Sequence, residues 1–346
     1  MKIAYIYYNF YPITGGASVH GYYLAKELSK LGYELFKLNG DADPYTKKLP
    51  GKISGLLWML RHCDLFYIRM DYFRNFRNLI TWIAFLFNKK IVVELNSPSD
   101  ELHLFGKSKS HIIKTDKRVA AILKRADAVV VVSDAVKKYC NEALGLHNVF
   151  KIENGGEVFA VTEDQVSGST KRLLGEIREN SEVIVMWSGS LNLMQHMKML
   201  QEISEKVSDR IAIVMITKGT IEETVNFSGK NVYLLQDLGR QDVEYAISNS
   251  DVGLALYGDY SWSRWGFYNS SLKVFEYLNN GLETISNKEG TAVQKAYPNF
   301  HYIRNTEEIV TFLDDFKPNH KKPSVAKRTW KDAAAETSHI FKGVTR

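Results

Sequence analysis

Twice along the chain, short runs of Val, Ile and other apolar residues alternate with stretches whose apolar positions recur at helical spacing. That alternation constrains the fold more than any other feature. A strand apolar on both faces must be covered on both faces, and a helical connection between such strands brings them together in parallel. In the first half, Ile3–Tyr8, Phe66–Arg69, Ile91–Leu95 and Ala128–Val132 read as strands. A helix is expected over Val19–Leu31, with Tyr22, Leu24, Ala25, Leu28 and Leu31 on one face and Gly32 closing it. Asn154-Gly155-Gly156 is a turn, and Val166–Lys171, polar with Ser and Gly, reads as a linker. The rhythm then restarts. Strands are expected at Val183–Trp187, Ile211–Ile216, Val232–Leu235, Val252–Leu256 and Glu283–Ile285, and helices at Met197–Val207, Val243–Asn249 and Leu272–Asn280. A last helix, Ser324–Phe341, follows the breakers Pro318 and Pro323. At 346 residues the chain has room for two cores. The expected domains are 1–165 and 166–323, with a C-terminal helical piece at 324–346.

Cys63 and Cys140 are the only cysteines, which excludes a disulfide framework and a zinc site of cysteine spacing. The opening Met1-Lys2-Ile3-Ala4-Tyr5-Ile6-Tyr7 enters a strand directly and lacks the regions of a secretion signal, so a cytoplasmic chain is expected. The longest apolar stretch, Leu79–Phe87, is about half a membrane span. The net charge of +6 lies entirely in residues 1–165, which hold 23 basic and 17 acidic residues; the remainder holds 22 of each. A basic first half fits an anionic partner, or equally a solvated surface with a slight bias.

Gly15-Gly16 sits between the first strand and the first helix, at the sheet edge where open α/β folds bind ligands. On its own the pair reads equally as a tight turn, and it is not a dinucleotide fingerprint. The most informative segment is Asn269-Ser270-Ser271-Leu272-Lys273-Val274-Phe275-Glu276-Tyr277-Leu278-Asn279-Asn280-Gly281. Ser270 or Ser271 can cap this helix and Gly281 can end it. Lys273 and Glu276, three apart, share a face near its N-terminus. There the helix dipole, free N–H groups and a cation suit a diphosphate, while the carboxylate can accept both hydroxyls of a ribose. The alternative is a solvated Lys–Glu pair.

Several blocks resemble family 4 retaining glycosyltransferases, in that family's order and over nearly the whole chain. They are Gly-Gly-Ala-Ser-Val-His with Tyr-Tyr-Leu-Ala-Lys-Glu-Leu within 15–28, Val-Val-Val-Ser-Asp-Ala-Val-Lys-Lys at 130–138 and Lys-Ile-Glu-Asn-Gly-Gly at 151–156. The second half adds Trp-Ser-Gly-Ser-Leu at 187–191, Ser-Asp-Val-Gly-Leu-Ala-Leu at 250–256, the segment 271–281 and Thr-Trp at 329–330. The resemblance implies an α/β chain of the GT-B fold: two Rossmann-like domains whose parallel sheets face a central cleft. It implies that the first domain binds the acceptor, that the second binds the nucleotide sugar, and that the final helix returns to brace the first. It places Glu276 on the donor ribose and Ser271, Leu272 and Lys273 near the diphosphate, with Gly189 in the adjoining loop. Gly15, Gly16 and His20 fall on the acceptor side.

Two departures stand out. Family members carry an Arg or Lys after the glycine of the Gly189 loop and a Lys a few residues later; here those places hold Ser190 and, roughly, Gln195. Lys218 or Arg264 is a candidate replacement cation, or a plain surface charge. The first glutamate of the family's paired motif is also missing, since Tyr268 stands eight residues before Glu276. In Val92-Val93-Glu94-Leu95-Asn96-Ser97-Pro98-Ser99-Asp100-Glu101, Asn96 replaces a histidine that faces the reacting sugar in relatives. Asn96 can hold hydroxyls but cannot act as a base. Asp100, Glu101, His103 and His111 are further acceptor-side candidates. In such enzymes the departing phosphate helps take the acceptor proton, so charge stabilisation by Lys273 carries most of the rate and no metal or other cofactor is implied. A nucleotide-sugar epimerase and a sugar-binding scaffold without turnover are the rival readings.

Between 47 and 90, Lys47, Lys48, Lys52, Arg61, Arg69, Arg74, Arg77, Lys89 and Lys90 interleave with Leu56, Leu57, Trp58, Phe66, Tyr67, Tyr72, Phe73, Phe76, Trp82, Phe85 and Phe87. Basic and aromatic residues together suit peripheral contact with an anionic membrane and a lipid-linked acceptor; no nucleic-acid motif accompanies them. The alternative is amphipathic helices with their aromatics in the core.

Overall fold

The structure is a computed structural model, and it describes every residue except 9, 14, 74, 192–193, 219–226, 228, 230 and 319–326. The elements run β1 (Lys2–Ile6), α1 (Gly16–Lys30), β2 (Glu34–Lys37), β3 (Thr46–Lys48), α2 (Lys52–His62), β4 (Leu65–Arg69), α3 (Phe76–Leu86), β5 (Lys90–Leu95), α4 (Lys109–Leu123), β6 (Ala128–Val131), α5 (Asp134–Glu142) and β7 (Val149–Lys151). Then come α6 (Gly168–Asn180), β8 (Val183–Ser188), α7 (Met197–Lys206), β9 (Ile211–Thr217), β10 (Val232–Gln236), α8 (Arg240–Ser248), β11 (Val252–Ala255), α9 (Leu272–Asn279), β12 (Glu283–Ser286), α10 (Ala292–Lys295), β13 (Phe300–Tyr302), α11 (Thr306–Asp315) and α12 (Trp330–Thr345).

The chain divides into two compact units. The first comprises Met1–Asn154, Tyr260–Ser270 and Trp330–Arg346. Its seven strands are all parallel, in the order β3-β2-β1-β4-β5-β6-β7. The direction of travel reverses at β1, so right-handed crossovers place α1 on one face and α2 and α3 on the other. The terminal helix α12 lies along α1. Its Trp330 and Phe341 are fully buried, Phe341 meets the rings of Tyr33 and Tyr67 at 5.7 and 5.3 Å, and Ser338 hydrogen-bonds the Tyr33 hydroxyl at 2.6 Å.

Segment 260–270 lies in sequence between β11 and α9, yet it belongs to the first unit. Arg264 anchors it: the guanidinium reaches Asp100 at 2.8 and 2.9 Å and Asp116 at 2.9 Å. Ser133 Oγ donates to the Tyr268 carbonyl at 2.6 Å, and the Asn154 amide donates to the Ser270 carbonyl at 2.6 Å.

The second unit comprises Gly155–Asp259 and Ser271–Thr329, built on six parallel strands in the order β10-β9-β8-β11-β12-β13. Val183–Trp187 and Ile211–Met215 are apolar on both faces and buried on both, which is why their continuous runs form central strands. The stretch 166–171, expected to be a linker, instead starts α6: Ser167 is the N-cap, its Oγ accepting from the Thr170 N–H. Small polar residues there are capping chemistry rather than flexibility. The last helix begins at Trp330, later than the expected start at 324, which lies outside the described residues.

The interior of the first unit holds a charged cluster. Glu94, on β5 and 1% exposed, accepts from the hydroxyls of Tyr7 (2.6 Å) and Tyr67, lies 3.2 Å from His20 Nε2, and pairs with Arg69 at 3.3 Å. Burial alone would push its carboxyl up, but the fields of His20 and Arg69 and the hydrogen bonds from His20 and Tyr67 outweigh it and hold the group down at about 2. A folded value below the unfolded one, about 4.3, stabilises the fold above pH 5 and loses that contribution as pH falls from about 4 to 2. Integrated, this is about 3 kcal/mol. Glu94→Gln should therefore lower stability at neutral pH by about 3–5 kcal/mol, because it leaves Arg69 buried without its partner. Denaturant unfolding at pH 7 and pH 3 checks this: the gap between wild type and variant must narrow in acid.

Candidate functional site

In the second unit the carboxyl ends of β8 and β11 meet the N-terminus of α9. Helix α9 is fixed by its apolar side: Tyr277 packs so closely on Gly253 of β11 that a Cβ there would lie 2.3 Å from the ring, and the Tyr277 hydroxyl meets the Ser188 N–H and Oγ at 2.9 Å. Gly281 ends the helix with φ 76°, the left-handed C-cap conformation. Ser271 is the N-cap residue, but its hydroxyl pairs with Tyr257 instead of capping. The first N–H groups of α9 therefore receive no side-chain cap from Ser271.

Lys273 projects from this first turn to the Gly189 loop. Its Nζ donates to Gln195 Oε1 at 2.9 Å, lies over the rings of Trp187 (4.7 Å) and Tyr257 (5.8 Å), and would sit 3.0 Å from a Cβ at position 189. Glycine at 189 thus makes room for the ammonium. Burial pushes Lys273 down to about 7, partly offset by Glu276. The residue as a whole is half-buried. Among the described residues no acidic side chain forms an ion pair with it.

Glu276, one turn on and buried, is held by Arg240 at the start of α8, which also pairs with Glu244 at 2.8 Å. Sequence reasoning passed over Arg240; its signal is an arginine directly after Gly239, at the first position of a helix that follows a strand. Ser190 and Lys218 are exposed at the ends of β8 and β9. Leu272 is half-buried behind Ser271. Arg264 lies in the first unit with its charge matched by Asp100 and Asp116.

In the first unit, Asn96 follows β5, half-buried, with a buried Oδ1 that has no hydrogen-bond partner among the described residues. Glu101 is five residues on; burial raises its carboxyl, partly offset by the Ser97 hydroxyl that donates to it. His103 is exposed and stacked 6.1 Å from Trp262, and His111 is exposed on α4. His20 is buried, bonded to Glu94 and packed against Trp330 at 5.0 Å. It lines the same small pocket as Glu94, Tyr67 and Trp330. Gly15 is different: it is exposed, its backbone is extended, and a Cβ there would meet nothing within 4 Å. Neither crowding nor a left-handed conformation demands glycine at this turn, which precedes the exposed Gly16 and Ala17 of α1.

No protein-family model and no curated protein matches the sequence. Solved structures do match in fold. The chain is similar over its full length, and over 98% of the other chain, to a glycosyltransferase from Rickettsia africae, with 14% identity and a TM-score of 0.63. It is equally similar (TM-score 0.63, 13% identity, 100% and 97% covered) to HepE from Anabaena in complex with UDP and glucose. A UDP-GlcNAc 2-epimerase from Neisseria meningitidis bound to UDP-GlcNAc matches at 0.55, with 13% identity and 99% and 100% covered. The chain therefore has the GT-B architecture, two parallel α/β units of the kind found in glycosyltransferases.

A desolvated ammonium opposes folding. Lys273→Met should raise the thermal midpoint at pH 7, since it keeps the aliphatic stem and removes the charge. The folded value lies below the unfolded one, about 10.4, so wild-type stability rises as pH climbs from about 7 to 10. The advantage of the variant must shrink over that window, which melting curves at several pH values will test.

Proposed function

We propose that this chain is a glycosyltransferase that moves a sugar from a nucleotide-sugar donor, UDP- or GDP-linked, to a glycan or lipid-linked acceptor. The carrying observation is the Lys273 ammonium at the N-terminus of α9, against Gly189 and one turn from the carboxylate Glu276. An anion is the ligand such a cation lacks. Two phosphates fit the ammonium and the first N–H groups of α9, Ser271 and Leu272 among them, and Glu276 accepts the ribose hydroxyls once Arg240 yields. Ser190, Gln195 and Lys218 line the approach. Uracil is the first base to try, because the matched structures include UDP complexes.

In the proposed reaction the bond from C1 of the sugar to the diphosphate oxygen breaks, and a bond from C1 to the acceptor oxygen forms on the same face. The acceptor proton passes to the departing phosphate, whose growing negative charge Lys273 stabilises. No step in this scheme requires a metal or a strong protein base. On the first unit, the uncrowded Gly15-Gly16 turn admits the acceptor backbone-close, while Asn96 and Glu101 hold its hydroxyl. In this reading His20, with Glu94, shapes the wall beneath them. Arg264, matched by two carboxylates, positions segment 260–270 and leaves the diphosphate charge to Lys273.

The similarity to an epimerase favours a second reading on the same fold. Incubating UDP-GlcNAc with the protein alone separates the two: a sugar inverted at C2, bound or free, means an epimerase, whereas UDP released with GlcNAc unchanged at C2 means a transferase.

In thermal-shift measurements against UDP, GDP, TDP and ADP, one nucleotide at about a hundred times its Kd should stabilise the protein by about 2.7 kcal/mol. Lys273→Met and Glu276→Ala should each abolish the response; no response in wild type would overturn the proposal. The anion binds the protonated lysine, so affinity should fall about tenfold per pH unit above 7. Lys273→Arg, charged throughout, should flatten that dependence, as calorimetric titrations between pH 7 and 9 will test.

A further inference from the structure

Helix α3 is apolar nearly all round, which in a globular protein marks a helix covered on every side. Here only one side is covered. Asn78, Ile80, Thr81 and Ala84 face the sheet, while Leu79 and Leu86, two turns apart on the opposite face, are 52% and 82% exposed. The only charge in the helix, Arg77, turns inward to Asp71 and lies 3.6 Å over the ring of Tyr8, and from outside the helix Arg125 lies 4.7 Å over Trp82. Phe87 continues the exposed surface past the helix end, and on α2 the stripe Ile53, Leu57 and Arg61 is exposed as well, with Ile53 at 76%. The chain order and right-handed crossovers put α2 and α3 in the same layer, and Lys89 ties their ends together by donating to the Cys63 carbonyl at 3.1 Å.

The charge around this surface is one-sided. Residues 47–90 contain nine basic and only two acidic residues. Both acids are engaged, Asp64 with the Lys2 N–H and Asp71 with Arg77, whereas Lys48, Lys52 and Arg61 are exposed and have no acidic partner among the described residues. Many of the aromatics that suggested a membrane surface in the sequence, Phe66, Tyr67 and Tyr72 among them, are core. The exposed apolar side chains are mainly aliphatic.

We infer that the outer face of α2 and α3 is a docking surface for an anionic lipid membrane, with Leu79, Leu86, Phe87, Ile53 and Leu57 entering the headgroup boundary and Lys48, Lys52 and Arg61 meeting lipid phosphates. The pairing of an uncharged aliphatic face with flanking cations is what an interfacial helix uses. A second copy of the chain fits less well, because a two-fold contact would set the same cations against themselves. Nucleic acid fits less well too, since leucine and isoleucine offer bases no stacking surface. At eleven residues, about 16 Å, α3 lies on a bilayer and does not cross it; among the described residues no helix is long and apolar enough to do so.

The inference does not depend on the donor chemistry, and the test keeps the two apart. Purified full-length protein is sedimented with phosphatidylcholine vesicles and with vesicles doped with phosphatidylglycerol, at low and high salt. Wild type should pellet with the anionic vesicles at low salt and be released by salt. Leu79→Glu/Leu86→Glu should remain in the supernatant, and Lys52→Gln/Arg61→Gln should partition about thirtyfold more weakly. All these side chains are exposed, so the variants should keep the wild-type melting midpoint and nucleotide response. Wild type that stays soluble with both vesicle types, or a leucine variant that pellets unchanged, overturns the proposal. So does a dimer in size-exclusion chromatography that only the leucine variant dissolves, with no vesicle binding.

Discussion

A parallel strand bonds its neighbours sideways and leaves both faces to be covered by helices, and the helix that follows each strand starts near its carboxyl edge. Loop tips and helix N-termini therefore gather along one edge of each sheet. Every candidate side chain in the second unit follows from that constraint. Gly189 and Ser190 end β8, Lys218 ends β9, Tyr257 follows β11, and Lys273 and Glu276 ride on the helix that precedes β12. In the first unit Gly15 follows β1 and Asn96 follows β5 by the same rule. The chemistry is collected by topology and only then refined by packing, with Tyr277 against Gly253 setting the height of α9.

Two buried charges in this chain are treated in opposite ways. Glu94 is surrounded by two tyrosine hydroxyls, a histidine and an arginine, and its carboxyl is held ionised; such a group organises a core. Lys273 receives one amide oxygen and two aromatic faces, and its ammonium is pushed toward neutrality. A local rule broken without compensation is where function is expected. The contrast, more than either group alone, is what carries the proposal that α9 meets the donor.

The central strands were legible because continuous apolar runs such as Val183–Trp187 admit one placement, the middle of a covered sheet. The short strands β2, β3, β7 and β13 were not, since strands near a sheet edge keep polar residues that look like loop. Lys273 and Glu276 could be singled out because helix spacing is local. Their partners Gln195 and Arg240, 78 and 36 residues away, arrive by tertiary folding and leave no local mark. The pairing of Arg264 with Asp100 and Asp116 spans 164 and 148 residues, and only the packing of segment 260–270 into the first unit brings them together. Composition also fails to separate buried from exposed on a helix that is apolar all round, which is why the outward leucines of α3 could not be told from core.

The departures at Ser190 and Gln195 looked in the sequence like a diphosphate site losing its cations. Their placement suggests a different economy. Gln195 does not stand where a charge is missing; its amide oxygen receives the Lys273 ammonium, and Gly189 leaves that ammonium space. A chain without turnover would gain stability by replacing this buried lysine with an apolar residue of the same length, since among the described residues no acidic side chain pairs with it. Lys273 stands in that setting in the first turn of a helix whose first N–H groups receive no cap from Ser271, and this combination is what supports the transferase proposal over the scaffold.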